Sequence, residues 1–179
     1  MTEHFIRLEQ MEKFARTDSL TGLYNRAYFM ELYSQHRAEG GKGSLIMVDV
    51  DSFKKVNDTY GHDIGDKCLL AVTHILSSIV PFDSANCRLG GDEFVTYIKN
   101  EINKEVVGKY CTLFNEVFQK ELDKIGYKGI TSLSIGAIVL TDECSIDPTE
   151  DFTAAYKKAD KMLYEVKEHG RANYKIWQE

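Results

Sequence analysis

The chain has 179 residues, of which 43% are hydrophobic, and carries 22 Lys and Arg against 28 Asp and Glu, a net charge of −6. That length and apolar share suit one domain with a full core and exclude a disordered chain. The acidic balance argues against a nucleic-acid groove, which shows a basic stripe, but not against a nucleotide whose charge is met locally.

Residues 2–16 place Phe5, Leu8, Met11 and Ala15 at helical spacing. This opening helix is short enough to need a partner, whether its own domain, a second copy, or a lost sensor for which it is a signalling-helix remnant. The expected division is therefore an N-terminal helix, 1–16, and a single domain, 17–179. A helix follows Asn25, to about Ala38, and turns Ala27, Phe29, Met30 and Tyr33 inward. Residues 44–51 form an apolar run ending in Asp49 and Asp51. It reads as a buried strand leaving the core at Asp49, with both aspartates on one face at strand period two. Residues 53–66 are too polar and glycine-rich for one ordinary helix. A helix over 67–80 carries Leu69, Val72, Leu76 and Ile79 on one stripe and is ended by Pro81. Residues 86–100 form a β-hairpin with Gly90-Gly91-Asp92-Glu93 at its tip. A long helix over 103–125 turns Val106, Tyr110, Leu113, Val117 and Leu122 inward. Residues 130–140 form a strand in which Ser134 and Gly136 offer little bulk where another element approaches. A helix over 151–168 buries Phe152, Ala155, Ala159, Met162, Leu163 and Val166, and Gly170 stops it. Residues 174–177 close the sheet.

No apolar run is long enough to span a membrane, and Met1-Thr2-Glu3-His4 does not start a basic-then-apolar leader. Cys68, Cys87, Cys111 and Cys144 show neither C-x-x-C nor zinc spacing and read as reduced thiols. The expected location is cytoplasmic.

The chemistry gathers in three places. Asp92 and Glu93 on a constrained turn repel each other unless a cation, most simply a divalent metal, lies between them. Asp49 at a strand end, with those acids, can hold Mg²⁺ against a triphosphate. A solvated acidic turn is the plain alternative. Lys54 and Lys55 can answer phosphate charge. The Asn57 amide and Asp66 carboxylate have the groups for a guanine edge, the carboxylate accepting from N1–H and the 2-amino group. His62 can pack or hydrogen-bond nearby; for each residue alone, turn chemistry is the competing explanation.

Taken together, these runs resemble the GGDEF domain of diguanylate cyclases. Residues 18–26, 49–66, 88–94, 134–136 and 159–173 match five ordered blocks of that family, over roughly 16–177. Five blocks in order are far more specific than any one of them. The resemblance implies a ferredoxin-like, palm-type α/β fold: a mixed, largely antiparallel sheet flanked by helices, with an active-site hairpin. It implies condensation of two GTP into cyclic di-GMP with release of two pyrophosphates. Each subunit holds one GTP, so a homodimer is required, with no nucleic acid and no membrane segment involved. By position, Asp49, the Val50 carbonyl, Asp92 and Glu93 match metal-binding groups for a pair of divalent ions, Mg²⁺ or alternatively Mn²⁺. Asp92 also matches the candidate general base, and Glu93 and Lys54 complete the catalytic set. Asn57, His62 and Asp66 match the base-binding stretch, and Lys167 and Arg171 match phosphate contacts. Gly90 and Gly91 let backbone approach the phosphates.

One departure stands out. Many family members carry an Arg-x-x-Asp product-inhibition site ahead of the hairpin; here the window reads Pro81-Phe82-Asp83-Ser84. The alternative functions are an inactive domain of this family that binds GTP or a partner, a related cyclase accepting ATP, and a polymerase-like palm fragment.

Overall fold

The computed structural model describes residues 15–144 and 146–178. In chain order these form α1 (Arg26–Ala38), β1 (Gly43–Val50), α2 (Phe53–Tyr60), α3 (His62–Ile79), β2 (Ala85–Gly90), β3 (Glu93–Lys99), α4 (Lys104–Lys124), β4 (Leu133–Leu140), α5 (Pro148–Glu168) and β5 (Tyr174–Ile176). The sheet order is β2-β3-β1-β4-β5. β1 runs antiparallel to both β3 and β4, and only the β4–β5 edge is parallel. This is the mixed, largely antiparallel palm-type sheet that the resemblance implies. Among the described residues no helix is long and apolar enough to cross a membrane.

β1 is buried along its whole length because both faces of the sheet are covered. Ile46 and Val48 point to a core shared with Leu69 and Val72 of α3 and with Phe114 and Phe118 of α4. Leu45 and Met47 point the other way, to Phe29 and Tyr33 of α1 and Phe152 and Leu163 of α5. Each fully buried side chain of this size contributes about 1.5–3 kcal/mol. Gly136 lets α5 cross β4 closely: a Cβ there would lie 2.1 Å from the Ala159 carbonyl oxygen and 2.5 Å from the Leu163 nitrogen.

Local chemistry sets the helix ends. The Asn25 side chain caps α1 by accepting from the Tyr28 N–H. Val80 is extended ahead of Pro81, which ends α3. α5 begins at Pro148 rather than at 151, because the Asp147 carboxylate accepts from the Thr149 and Glu150 N–H groups and proline suits the first turn. The polar stretch 53–66 is helical but broken at Gly61, so α3 starts at His62 rather than at 67. Gly61, with φ 87, supplies the left-handed joint. β4 begins at Leu133 rather than at 130.

The inward stripe of α4 differs from the expected one. Val107, Cys111, Phe114, Phe118 and Leu122 are buried, while Leu113 is 41% exposed. Val106, Tyr110 and Val117 flank the buried row. Ala27 of α1 is likewise exposed. The stripe of α5 is the predicted one, residue for residue. Cys68, Cys87 and Cys111 are free and buried. The expected N-terminal helix lies outside the described residues, apart from Ala15 and Arg16, which are helical.

Candidate active site

Sheet register brings the two acidic runs together. Asp49, at the end of β1, pairs directly with Glu93, the first residue of β3. The Val50 N–H donates to the Asp92 carbonyl at 3.3 Å. Runs more than forty positions apart thus share one edge of the sheet. The hairpin tip is fastened from outside: Arg88 donates through Nε and Nη2 to the Gly91 carbonyl at 3.0 and 2.8 Å. Its Nη1 pairs with Asp18 at 3.2 Å. Gly91 has φ 53 and Gly90 φ 150, both in the region that favours glycine. A Cβ at either would meet no atom within 4 Å, so within the chain the glycines answer backbone conformation rather than crowding.

Asp49 is 5% exposed. Burial pushes its carboxyl up to about 6; Lys167 opposes that shift, and the charges of Asp92 and Asp51 reinforce it. The Lys167 ammonium, in the last turn of α5, lies 2.8 Å from Asp49 Oδ2. One lysine therefore leaves the acid cluster short of positive charge. Among the described residues no three Asp, Glu, His or Cys side chains converge to hold a metal. Mg²⁺ takes one or two carboxylates and fills its remaining positions with water and substrate phosphate. The donors on offer here are all oxygens.

α2 and α3 place the expected base readers. The Asn57 side-chain oxygen is buried and has no hydrogen-bond partner. It rests against Gly65, where a Cβ would lie 1.8 Å away. An orphan acceptor of this kind costs about 1–3 kcal/mol unless a ligand supplies the donor. Asp66 follows Gly65 and is exposed, His62 heads α3 and is exposed, and Lys54 is exposed in the first turn of α2. Arg171, beyond α5, has φ 63. Its guanidinium lies 3.9 Å from Asp51 rather than on the Asp49 pair.

Sequence reasoning missed what Asp51 does. Its carboxylate accepts from the Ser134 hydroxyl at 2.6 Å and the Ser132 hydroxyl at 2.5 Å. The signal was present in the period-two spacing after Asp49, but nothing local named Ser132 and Ser134 as its partners.

A family model described as "Diguanylate cyclase, GGDEF domain" matches residues 15–173. Over 96% of its length the chain is 32% identical to the probable diguanylate cyclase DgcT of Escherichia coli K12, covering 38% of that protein. Over 99% of its length it is 31% identical to the cyclic di-GMP phosphodiesterase PdeR of the same organism, covering 26% of it. The chain thus spans well under half of each of these two relatives. Among solved structures, the coiled coil and GGDEF domain of DgcB from Caulobacter crescentus, in complex with c-di-GMP, superposes with a TM-score of 0.80 at 25% identity. That match covers 98% of this chain and 92% of the other. The chain belongs to the GGDEF-domain family of diguanylate cyclases.

Proposed function

We propose that this chain is a diguanylate cyclase domain that condenses two GTP into cyclic di-GMP where two copies meet, each holding one GTP. In this reading residues 17–179 are the cyclase domain and residues 1–16 an N-terminal segment ahead of it. The observation that carries it is the register of Asp49 with Glu93, which joins the strand-end and hairpin acids into one site.

The guanine base is read by Asn57, whose orphan oxygen accepts from a base amino group, and by Asp66. Adenine has no N1–H or 2-amino donor, so guanine is favoured by at least about tenfold. His62 borders the base. Lys54, Lys167 and Arg171 answer the phosphates, and the Gly90–Gly91 backbone gives them close approach. The 3′-hydroxyl oxygen of one GTP forms a bond to the α-phosphorus of the other. The bond to the β-phosphate breaks, and pyrophosphate leaves. The hydroxyl proton passes to the Asp92 carboxylate. Repeating the step in the opposite sense closes the ring. Asp49, the Val50 carbonyl, Asp92 and Glu93 would hold Mg²⁺ or Mn²⁺, a pair per site, which supplies charge neutralisation for phosphoryl transfer. The protein's own part is positioning and electrostatic stabilisation.

A second reading is a binding-only domain that takes GTP or a partner as a sensor. The similarity to the phosphodiesterase PdeR favours it, since that protein's name gives the opposite reaction. Product analysis by mass spectrometry separates the two. The chain is incubated with GTP and Mg²⁺ at two widely spaced protein concentrations, with Asp92→Ala and ATP as controls. Cyclic di-GMP from the unaltered chain, rising steeply in specific activity with concentration, is the expected result. GTP binding without product at any concentration would establish the sensor reading instead.

A further inference from the structure

Asp51 is 5% exposed, and nothing in the reaction above uses it. Its Oδ1 accepts from Ser134 Oγ at 2.6 Å. Its Oδ2 accepts from Ser132 Oγ at 2.5 Å and from the Ala172 N–H at 3.3 Å. Its carbonyl accepts from Thr131 Oγ1 at 2.6 Å, and its N–H donates to the Ser132 carbonyl at 2.9 Å. A buried carboxylate taking this many donors has one fixed orientation.

Strain gathers around it. Four non-glycine residues among those described have positive φ, and three adjoin Asp51: Ser52 at 53°, Arg171 at 63° and Ala172 at 52°. The left-handed region costs such residues about 1–2 kcal/mol each, so it persists only where the surroundings hold it. Apolar packing does not hold Arg171 and Ala172. Gly170, Arg171 and Ala172 border an open cavity of about 630 Å³, lined also by Lys55, Asn115 and Gln119. The hydrogen bond from Ala172 to Asp51 ties this turn to the end of β1. The Arg171 guanidinium, half exposed and 3.9 Å away, gains little from the charge itself. Ser52, on the other side of Asp51, opens the helix that carries Lys54 and Asn57.

We propose that Asp51 is a positioning residue: it locks the turn at 170–172 against β4 and the start of α2, and so aims Arg171 at the nucleotide phosphates. This inference rests on the cyclase reading for what Arg171 touches. Asp51 does not contact substrate. It joins the C-terminal phosphate arm to the base-reading helix, so that the two ends of one GTP are held in fixed relation.

The test is a double-mutant cycle of Asp51→Asn with Arg171→Ala, read by binding of a fluorescent GTP analogue and by KM and kcat for cyclic di-GMP formation. The amide keeps the shape but sets an NH₂ against one of the donors that the carboxylate receives. We expect Asp51→Asn to weaken analogue binding and raise KM about tenfold, with kcat changed less than about threefold. In the Arg171→Ala background the same substitution should add less than about twofold. If Asp51→Asn does not fold, Ser134→Ala, which frees one carboxylate oxygen, carries the same cycle with a rise of about threefold. Losses that multiply in the double variant, or no loss from either substitution, overturn the proposal. Analogue binding reads Asp51 even where the chain makes no cyclic di-GMP. If the unaltered chain does not bind the analogue, the cyclase reading itself fails, and this inference with it.

Discussion

The Lys167 ammonium lies 2.8 Å from Asp49 Oδ2 and ties the last turn of α5 to the end of β1. A helix C-terminus already favours a cation, but this lysine does more, since it offsets a carboxylate that burial pushes up to about 6. The last turn of α5, proposed to answer the phosphates, and the acid cluster are therefore already in contact. Lys167→Ala is expected to weaken binding of GTP with Mg²⁺ by about tenfold or more, since a hydrogen bond to a charged group contributes about 1.5–3 kcal/mol. Titration with a fluorescent GTP analogue checks this. An unchanged dissociation constant would remove Lys167 from the site.

Gly65 separates binding from stability. A Cβ there would lie 1.8 Å from the Asn57 side-chain oxygen, the free end of a side chain, and not from backbone. Gly65→Ala should therefore push Asn57 aside at small cost to the fold, offset by the better helix propensity of alanine, up to about 1 kcal/mol. The expected outcome is a rise in KM for GTP of about tenfold with little change in Tm. An unchanged KM would show that Asn57 does not read the base.

Arg37 and Asp151 hold the far end of the molecule. The Arg37 guanidinium is 3% exposed; it pairs with both carboxylate oxygens of Asp151, at 2.9 and 3.0 Å. It also donates to the Gly41 and Asp142 carbonyls. Asp151→Ala leaves that charge buried and should cost about 3–5 kcal/mol in urea unfolding at neutral pH.

The same pair gives a pH signature. Burial alone would push the Asp151 carboxyl up, but the hydrogen bonds from Arg37 and Tyr33 win and hold it below the usual value. A carboxylate with a depressed folded-state pKa adds stability above its unfolded value of about 3.9, and loses it as pH falls through the folded value. The stability gap between the unaltered chain and Asp151→Asn should thus be full at neutral pH and narrow below about pH 4. A gap that stays constant to pH 3 would refute this assignment.

The window Pro81-Phe82-Asp83-Ser84 has no arginine, and Phe82 is fully exposed there, at 101%. Feedback inhibition through this position is not expected. Micromolar cyclic di-GMP should leave the rate unchanged, and Pro81→Ala and Asp83→Ala should change nothing. Inhibition that either substitution relieves would count against the prediction.

The local elements were largely legible in the sequence. Turn and cap residues mark their own positions, so Asn25, Pro81, the Gly90–Gly91 tip and Gly170 located the ends of helices and the hairpin. The α5 stripe was readable because its apolar residues fall on one row. The α4 stripe was not. Val106, Tyr110, Leu113 and Val117 form an apolar row of their own beside Val107, Cys111, Phe114 and Phe118, and only the placement of α3 and β4 decides which row is covered. The split at Gly61 was half legible: the glycine was visible, but the helices on either side were hidden by their many polar residues.

By itself the sequence determined which acids, glycines and lysines were available and the order in which the chain presents them. Tertiary structure decided which of them meet. Asp49 faces Glu93 through strand register, Lys167 reaches Asp49 across more than a hundred residues, and Asp51 binds Ser132, Ser134 and Ala172 from two separate segments. The physical reason is range. Backbone preference and side-chain periodicity act over a few residues and leave a readable pattern, whereas register and layer packing are set by the joint burial of both sheet faces, which no single segment encodes.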